Sequence, residues 1–362
     1  MIVPVLKYLY YKLLSKFRTP FPIRENSVLL IEFKSFHGET LPGYIKYLLD
    51  LGYNVDVVLR KSKTADNRDR NDHGLFSCFS ANSKVRPIFL FAQDINLLVH
   101  SSAIFSYKHI VVNTFYKEIK RDYFPGSFLL KSVCVVHNPD VIDIFSNTHK
   151  MVSLIRMVSE NKNSPIVVNA HYFGDFEKKS KKGNESAVTT FVTINSNILS
   201  RRNLNLLFNA CDKLYEKEVY NFSVKVIGKG IPVPERFRSN IHDFGFLNFQ
   251  QMYAEIASSD FFLALIDQDN TEYINKASGS YQIGYGFLKP LVLHRQFSEA
   301  AGFSEKNSVL YNSNNDLADS MENCIRMSND DYCNVVDDLE KSQNDLYIMS
   351  LDNLRKALNA AG

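Results

Sequence analysis

Residues 261–293 have the sequence FFLALIDQDNTEYINKASGSYQIGYGFLKPLVL, and this stretch decides the fold. The apolar run 261–266 is short enough to be a fully buried strand, and the run 291–293 indicates a second strand. Between them, the small residues 278–280 (SGS) precede a pattern with helical spacing. The stretch therefore predicts a strand, a loop, a helix and a strand, which is the unit of a parallel sheet.

A helix that begins in a loop of small residues is suited to binding an anion. The first backbone N–H groups of a helix are unpaired, and its dipole favours negative charge there. Lys276 stands just before the loop and adds a positive charge. We interpret the loop as a diphosphate site; the alternative is that Ser278 is an ordinary N-cap and Gly279 a turn residue.

Length and composition favour a soluble protein of two domains. The chain has 362 residues, of which 45% are hydrophobic and 22% charged. Its formal net charge of +3 is too small to predict a nucleic-acid partner. Its five cysteines include no CxxC pair, which excludes a disulfide framework or a Cys-rich zinc site and indicates a reducing compartment. No apolar run approaches the roughly 20 residues that span a bilayer.

The N-terminal residues 1–22 predict a basic amphipathic helix. Its apolar side would consist of Ile2, Leu6, Leu9, Leu13 and Phe17, with lysines and tyrosines elsewhere. Such a helix suits an anionic membrane surface, which predicts a cytoplasmic protein bound peripherally to the inner face of the cell membrane. The alternative is a helix that packs on its own domain.

The first half of the chain begins with a βαβ pattern, in which residues 28–31 and 55–59 are the strands. Ligands bind parallel sheets at the carboxyl ends of the strands, and His37, Gly38 and Glu39 follow the first strand. No GxGxxG motif is present, so the dinucleotide fingerprint is absent.

Further short strands are predicted in this half at 88–91, 97–99, 132–136 and 166–168. His137 directly follows one of them. It is either a catalytic or acceptor-binding group, or a structural histidine.

A second alternation of strands and helices begins at residue 188. Arg201 and Arg202 precede a helix, where cations do not suit the dipole, so they favour a ligand over the helix; a solvated surface pair is the alternative. Gly228 and Lys229 follow another strand, at its carboxyl end.

The order of these elements from residue 28 resembles that of GT-B-fold glycosyltransferases. The resemblance is greatest to bacterial nucleotide-sugar-dependent enzymes of surface polysaccharide assembly (lipopolysaccharide, capsule or exopolysaccharide). Residues 165–169 (PIVVN) resemble the family's "vIPNGvd" entry to the second domain. Residues 195–203 lie where the family carries "GRL…KG", whose basic residues hold the donor diphosphate. Arg202 matches the lysine of that motif, while Asn197 replaces its arginine.

The family's later motifs also have counterparts. Residues 228–230 resemble its "vGdG" strand end, and 244–246 resemble "flGfv", whose backbone meets the base. Residues 278–290 resemble its donor-phosphate helix, which ends in Lys-Pro. The Glu-x7-Glu pair of the best-known retaining subgroup is missing, so Glu272 is assigned as a sugar contact instead and the stereochemistry stays open.

The resemblance implies an α/β protein with two Rossmann-like parallel-sheet domains facing across a cleft, plus the N-terminal helix and a long C-terminal helix. The predicted parts are the helix 1–22, an acceptor domain 23–174, a linker 175–186, a nucleotide-sugar-binding domain 187–330 and the C-terminal helix 331–362, which either stays with the second domain or crosses back to the first. The donor, a UDP-sugar by preference, is a co-substrate, and no metal or other cofactor is expected. The acceptor is a lipid-linked glycan or an oligosaccharide.

Two groups of site residues follow from the pattern and the resemblance. His37, Glu39 and His137 are predicted to be catalytic, on the acceptor side. The residues predicted to bind the donor are Gly38, Arg201, Arg202, Gly228, Lys229, Phe246, Glu272, Lys276, Ser278, Gly279, Ser280 and Tyr281.

Three alternatives stay open. Asp267-Gln268-Asp269 is a DxD sequence, which in the other glycosyltransferase fold binds the metal that neutralises the donor phosphates. The second alternative is a nucleotide-sugar epimerase of GT-B shape. The third is a nucleotide-sugar-binding module without catalytic activity.

Overall fold

The computed structural model describes residues 9–10, 13, 21–33, 37–61, 74–115, 126–144, 150–157, 164–176, 188–195, 202–229 and 232–361. The chain divides into two compact units. Unit 1 comprises Met1–Tyr172 and Tyr347–Gly362, and unit 2 comprises Phe173–Leu346. Most of the predicted linker lies outside the described residues, so the predicted domain boundaries stay predictions.

Unit 1 is built on a parallel sheet of seven strands. The strands are β1 Ser27–Glu32, β2 Asn54–Arg60, β3 Val85–Leu90, β4 His109–Phe115, β5 Ser132–Val136, β6 Met151–Ser153 and β7 Ile166–Val167. Their order is β3-β2-β1-β4-β5-β6-β7, with parallel pairing throughout. The helices are α1 Leu41–Asp50, α2 Ala92–His100 and α3 Gly126–Lys131.

The central strands of unit 1 are buried along their whole length. All residues of β1 (SVLLIE) and β4 (HIVVNTF) are buried. Continuous burial is typical of a parallel sheet that is covered on both faces. The predicted βαβ unit is confirmed as β1, α1 and β2.

In unit 1, one predicted strand is wrong, and two strands of the sheet, β4 and β6, were not predicted. Residues 97–99, predicted as a strand, lie in α2, because Ile95, Leu98 and Val99 have the i, i+3, i+4 spacing of one helix face and are all buried. Strand β4 was not predicted, since only the three residues 110–112 of it are apolar in a row.

Unit 2 is built on a parallel sheet of six strands. They are β8 Thr189–Asn195, β9 Phe222–Gly228, β10 Ile241–Gly245, β11 Phe261–Leu263, β12 Leu291–His294 and β13 Val309–Tyr311. Their order is β10-β9-β8-β11-β12-β13. The helices are α4 Leu204–Glu216, α5 Phe249–Ala257, α6 Gly279–Gly286 and α7 Leu317–Arg326.

Strand β11 is shorter than the apolar run 261–266 predicts. Leu265 has a φ of 46°, in the left-handed region that residues other than glycine seldom adopt, and the strand ends before it. The whole run is nevertheless buried. The chain therefore turns at the carboxyl end of β11 inside the core, which directs the polar residues that follow it.

The last helix, α8 Asn329–Ala361, begins in unit 2 and ends in unit 1. In unit 1, the hydroxyl oxygen of Ser350 accepts a hydrogen bond from the backbone N–H of Asn169 at 2.9 Å, and the side-chain amide of Asn353 donates to the carbonyl of Val167 at 2.9 Å. The second half of α8 thus contacts the backbone of β7 and of the residues that follow it.

Little of the predicted N-terminal helix lies within the described residues. Leu9, Tyr10 and Leu13 are exposed there, and the rest of the stretch 1–20 is outside them. Across the described part of the chain, no helix combines the length and the apolar character needed to cross a membrane.

Candidate functional site

Arg202 and the start of α6 meet at the carboxyl edge of the unit 2 sheet. The guanidinium of Arg202 donates hydrogen bonds to the hydroxyls of Ser278 at 2.9 Å and Ser280 at 2.8 Å. Ser278 is at the N-cap position of α6, but its side chain makes no capping hydrogen bond. Ser278 thus occupies the N-cap position of the alternative, but its hydroxyl contacts Arg202 and does not cap the helix. Gly279 is the first residue of the helix.

Lys276 lies beside the same site. Its ammonium is 5.5 Å from the ring centroid of Tyr273, and the Arg202 guanidinium carbon is 5.9 Å from that centroid. Lys276 also forms an ion pair with Glu272 at 2.9 Å, with the Glu272 side chain about half exposed. The structure thus brings together seven of the predicted donor residues, which are Arg202, Glu272, Lys276 and the four residues 278–281. Glu272 neutralises part of the Lys276 charge.

Two buried side chains on α6 have polar atoms with no hydrogen-bond partner among the described residues. These atoms are the hydroxyl oxygen of Tyr281, which is 0% exposed, and both polar atoms of the Gln282 amide, which is 1% exposed. Burial raises the pKa of Tyr281, with the nearby Arg202 charge opposing it. Tyr281 was a predicted site residue and Gln282 was not. The one feature of the sequence that could have indicated Gln282 is a polar residue between the apolar residues Tyr281 and Ile283.

Gly228 has a structural reason to be glycine. Its φ is 104°, and a Cβ there would lie 2.1 Å from the backbone oxygen of Asn195 on the neighbouring strand. The Asn195 amide also donates to the backbone oxygen of Lys229. The close approach of β8 and β9 is sufficient to explain why residue 228 is glycine, without a role in ligand binding.

The other predicted donor residues are more dispersed. Lys229 follows β9 and Phe246 follows β10, both at the carboxyl edge of the sheet, and both are exposed. Arg201 lies outside the described residues. In unit 1, a Cβ on Gly38 would meet the Leu75 side chain at 3.6 Å, which is an ordinary contact, so no described neighbour requires glycine there.

The three predicted catalytic residues lie together at the carboxyl edge of the unit 1 sheet. The rings of His37 and His137 stack with centroids 4.0 Å apart and planes 10° from parallel. The Nδ1 atom of His37 is 3.2 Å from a Glu39 oxygen. The Nε2 of His137 is 2.9 Å from the Asn113 carbonyl, so that nitrogen carries the proton. Burial, and next the nearby His37, hold the pKa of His137 well below its usual value, so His137 is neutral near pH 7.

A buried carboxylate that the sequence analysis missed supports this group. Glu32, at the end of β1, is fully buried and accepts hydrogen bonds from Asn113 Nδ2 at 2.7 Å and from Thr114 Oγ1 at 2.5 Å. Asn113 Nδ2 also donates to the backbone oxygen of His37 at 2.9 Å. The feature of the sequence that could have indicated Glu32 is an acidic residue at the end of an apolar strand, 27–32 (SVLLIE).

The first aspartate of the DxD sequence, Asp267, contacts protein hydrogen-bond donors in the structure. Asp267 accepts hydrogen bonds from Asn203, Asn314 and the backbone N–H of Asp269. Partial burial acts to raise the pKa of Asp267, but these hydrogen bonds outweigh it, so the pKa is lowered. Within the described residues, no three His, Cys, Asp or Glu side chains are grouped so that they could hold a metal ion.

The two parallel sheets and their helices define the GT-B fold, and solved structures with this fold match the chain over nearly its whole length. A variant of S. aureus TarM, in complex with fondaparinux, α-GlcNAc-glycerol and UDP, matches with a TM-score of 0.60 and 8% identity, covering 93% of this chain and 100% of that one. Anabaena Alr3699/HepE in complex with UDP-glucose matches with a TM-score of 0.55 and 12% identity, covering 91% and 98%.

No protein-family model matches the sequence, and no curated protein matches it either. At these identities the structural matches establish the fold.

Proposed function

We propose that this protein is a glycosyltransferase that moves a sugar from a nucleotide-sugar donor, UDP-sugar by preference, to a glycan acceptor. The observation that carries the proposal is the Arg202 guanidinium, which joins Ser278 and Ser280 at the N-terminus of α6. A guanidinium beside a helix N-terminus and two hydroxyls offers the donors that a diphosphate requires. The solved structures with UDP or UDP-glucose bound share the fold in which this arrangement occurs.

The chemistry follows from the charge that grows on the leaving diphosphate. Arg202, the α6 dipole and Lys276 would stabilise that charge, which is the main source of acceleration in such reactions. We propose that transfer is metal-independent, because the Asp267 oxygens already accept three hydrogen bonds from protein donors.

On the acceptor side, His37 is the best candidate for a general base. Its side chain is 34% exposed, whereas His137 is 8% exposed. If Nδ1 of His37 carries the proton and donates it to Glu39, Nε2 is the basic nitrogen of the ring and would accept the proton of an acceptor hydroxyl. An inverting reaction requires such a base. A retaining reaction does not, and Arg202 then has the larger share of the catalysis.

The acceptor we propose is a glycan on a lipid carrier, used in assembly of a bacterial surface polysaccharide. The support is the basic amphipathic pattern of residues 1–22, which suits the anionic inner face of the cell membrane. A lipid-linked acceptor is presented at that surface.

The test is a thermal-shift screen of UDP-, GDP-, ADP- and TDP-sugars. A donor present at about 100 times its Kd stabilises the fold by about 2.7 kcal/mol, which for a unit of this size shifts the Tm by roughly 5–10 °C. Arg202→Ala should lower the affinity for the donor about tenfold to a hundredfold, the value of a charge-assisted hydrogen bond. Arg238→Ala, at an exposed arginine of the same unit, is the matched control.

The proposal fails if no nucleotide sugar stabilises the protein, or if Arg202→Ala binds the donor as tightly as the wild type. Metal independence fails separately, if EDTA abolishes transfer and manganese restores it. Incubation of the bound donor with and without lipid-linked acceptor then separates transfer from epimerisation and from binding without catalysis.

A further inference from the structure

The Asp267 carboxylate, which follows β11, is surrounded by hydrogen-bond donors. Its Oδ2 accepts from Asn203 Nδ2 at 2.6 Å. Its Oδ1 accepts from Asn314 Nδ2 and from the backbone N–H of Asp269, both at 3.1 Å. Three donors directed at two carboxylate oxygens favour the ionised form and fix its orientation.

Asn203 is held at three points, of which Asp267 is one. Its backbone N–H donates to the carbonyl of Leu265 at 3.1 Å. Its Oδ1 accepts from the backbone N–H of Asn205 at 3.1 Å and so caps α4. Arg202 is the residue immediately before Asn203, joined to it by a planar peptide bond. The position of Asn203 therefore limits where the Arg202 guanidinium can reach.

The turn that carries Asp267 is itself fixed. Leu265 keeps its left-handed φ of 46°, a conformation that persists only where the surrounding structure holds it. The backbone oxygen of Gln268 accepts from Gln296 at 2.6 Å, and its side-chain oxygen accepts from the backbone N–H of Asn314 at 3.1 Å. Asp267 is thus a rigid anchor for Asn203.

We propose that Asp267 is a positioning residue for the Arg202 diphosphate site: its carboxylate holds the Asn203 amide, and through Asn203 it sets the place of the Arg202 guanidinium. This inference rests on the proposed function. It assigns Asp267 of the DxD sequence a role other than metal binding, because both Asp267 oxygens already accept hydrogen bonds from protein donors. Asp269 is exposed.

The experiment compares Asp267→Asn with Asp269→Asn, and measures the affinity of each variant for UDP and for uridine. An amide has one acceptor oxygen, so Asp267→Asn leaves a donor without an acceptor and removes the charge. We expect UDP affinity to fall about tenfold, the value of a hydrogen bond to a charged group, while uridine affinity is unchanged. Asp269→Asn should bind both ligands as the wild type does.

A second variant keeps the test decisive if Asp267→Asn does not fold. Asn203→Ser retains an N-cap oxygen for α4 but has no amide to donate to Asp267. It should lose UDP affinity to the same extent, again without losing uridine. The double variant should bind UDP no more weakly than Asp267→Asn alone, because both changes break the same link.

Three results would overturn the inference. Equal losses of UDP and uridine affinity would show a general structural role for Asp267. A transfer activity that needs manganese and is lost in both aspartate variants would show a metal site. If Arg202→Ala weakens UDP binding and Asp267→Asn does not, the inference alone is wrong; if Arg202→Ala leaves UDP binding intact, the proposed function itself is wrong.

Discussion

Acid should destabilise unit 1, because its buried histidines fold in the neutral form, and His171 gives the clearest test. It is 2% exposed, and its Nδ1 is 2.9 Å from the carbonyl of Asn169, to which it donates. Burial lowers the pKa of His171 to about 4, with the Asn169 hydrogen bond opposing the shift. We predict that His171→Asn, whose amide nitrogen replaces Nδ1 as the donor, removes part of the acid sensitivity of the fold.

The magnitude follows from the two pKa values of His171. The unfolded chain has a histidine pKa of about 6.5, above the folded value of about 4, so the unfolded state binds the proton first as the pH falls. The stability is therefore complete above about pH 6.5 and is lost progressively until about pH 4. The full loss is about 3 kcal/mol, of which about 2 kcal/mol falls between pH 7 and pH 5.

The assay is urea unfolding at pH 7 and pH 5, followed in unit 1 by hydrogen-exchange mass spectrometry of peptides from β1 and β4. The wild type should lose about 2 kcal/mol more than His171→Asn over this interval. His242→Gln, at an exposed histidine of β10, controls for the loss of any histidine. Equal losses of unfolding free energy in the wild type and in His171→Asn would refute the reasoning. They would show that protonation of His171 does not contribute to the acid sensitivity of the fold.

Three further predictions follow from the same contacts. Gly228→Ala should destabilise unit 2 by about 3 kcal/mol, because the new Cβ meets the Asn195 oxygen at a positive φ; calorimetry would show a lower Tm, and an unchanged Tm would contradict the geometry. Arg86→Met should cost unit 1 about 1–3 kcal/mol in urea unfolding, because the fully buried Asp56 carboxylate loses its ion pair with Arg86 at 2.6 Å but keeps its contacts with Arg24 and Tyr107. Adding Asp56→Asn should recover part of the loss. His37→Ala should lower kcat about a hundredfold without changing the Kd for the donor; an equal effect on both would place His37 in binding instead of proton transfer.

Periodicity and apolar runs predicted most of the fold. Strands β1, β2 and β5 are short runs of Val, Ile and Leu, and a strand buried on both faces in a parallel sheet needs such a run. His37 follows β1 and Arg202 follows β8, so chain order alone predicts that both lie at the carboxyl edge of a sheet. Where apolar residues were few, as in β4, or fitted a helix as well as a strand, as in α2, the same reasoning failed because burial there depends on neighbours far along the chain.

The sequence by itself determined the class of fold, because backbone hydrogen bonding and burial of apolar runs are set mainly by local pattern. The tertiary structure decided which polar groups act together. Residues 37 and 137 stack only because β1 and β5 both end at one edge, on either side of β4. Asp267 engages Asn203, 64 residues away, only because the chain turns at Leu265. Hydrogen bonds are short and directional, so the side chains that form a site are fixed by three-dimensional placement that spacing along the chain does not encode.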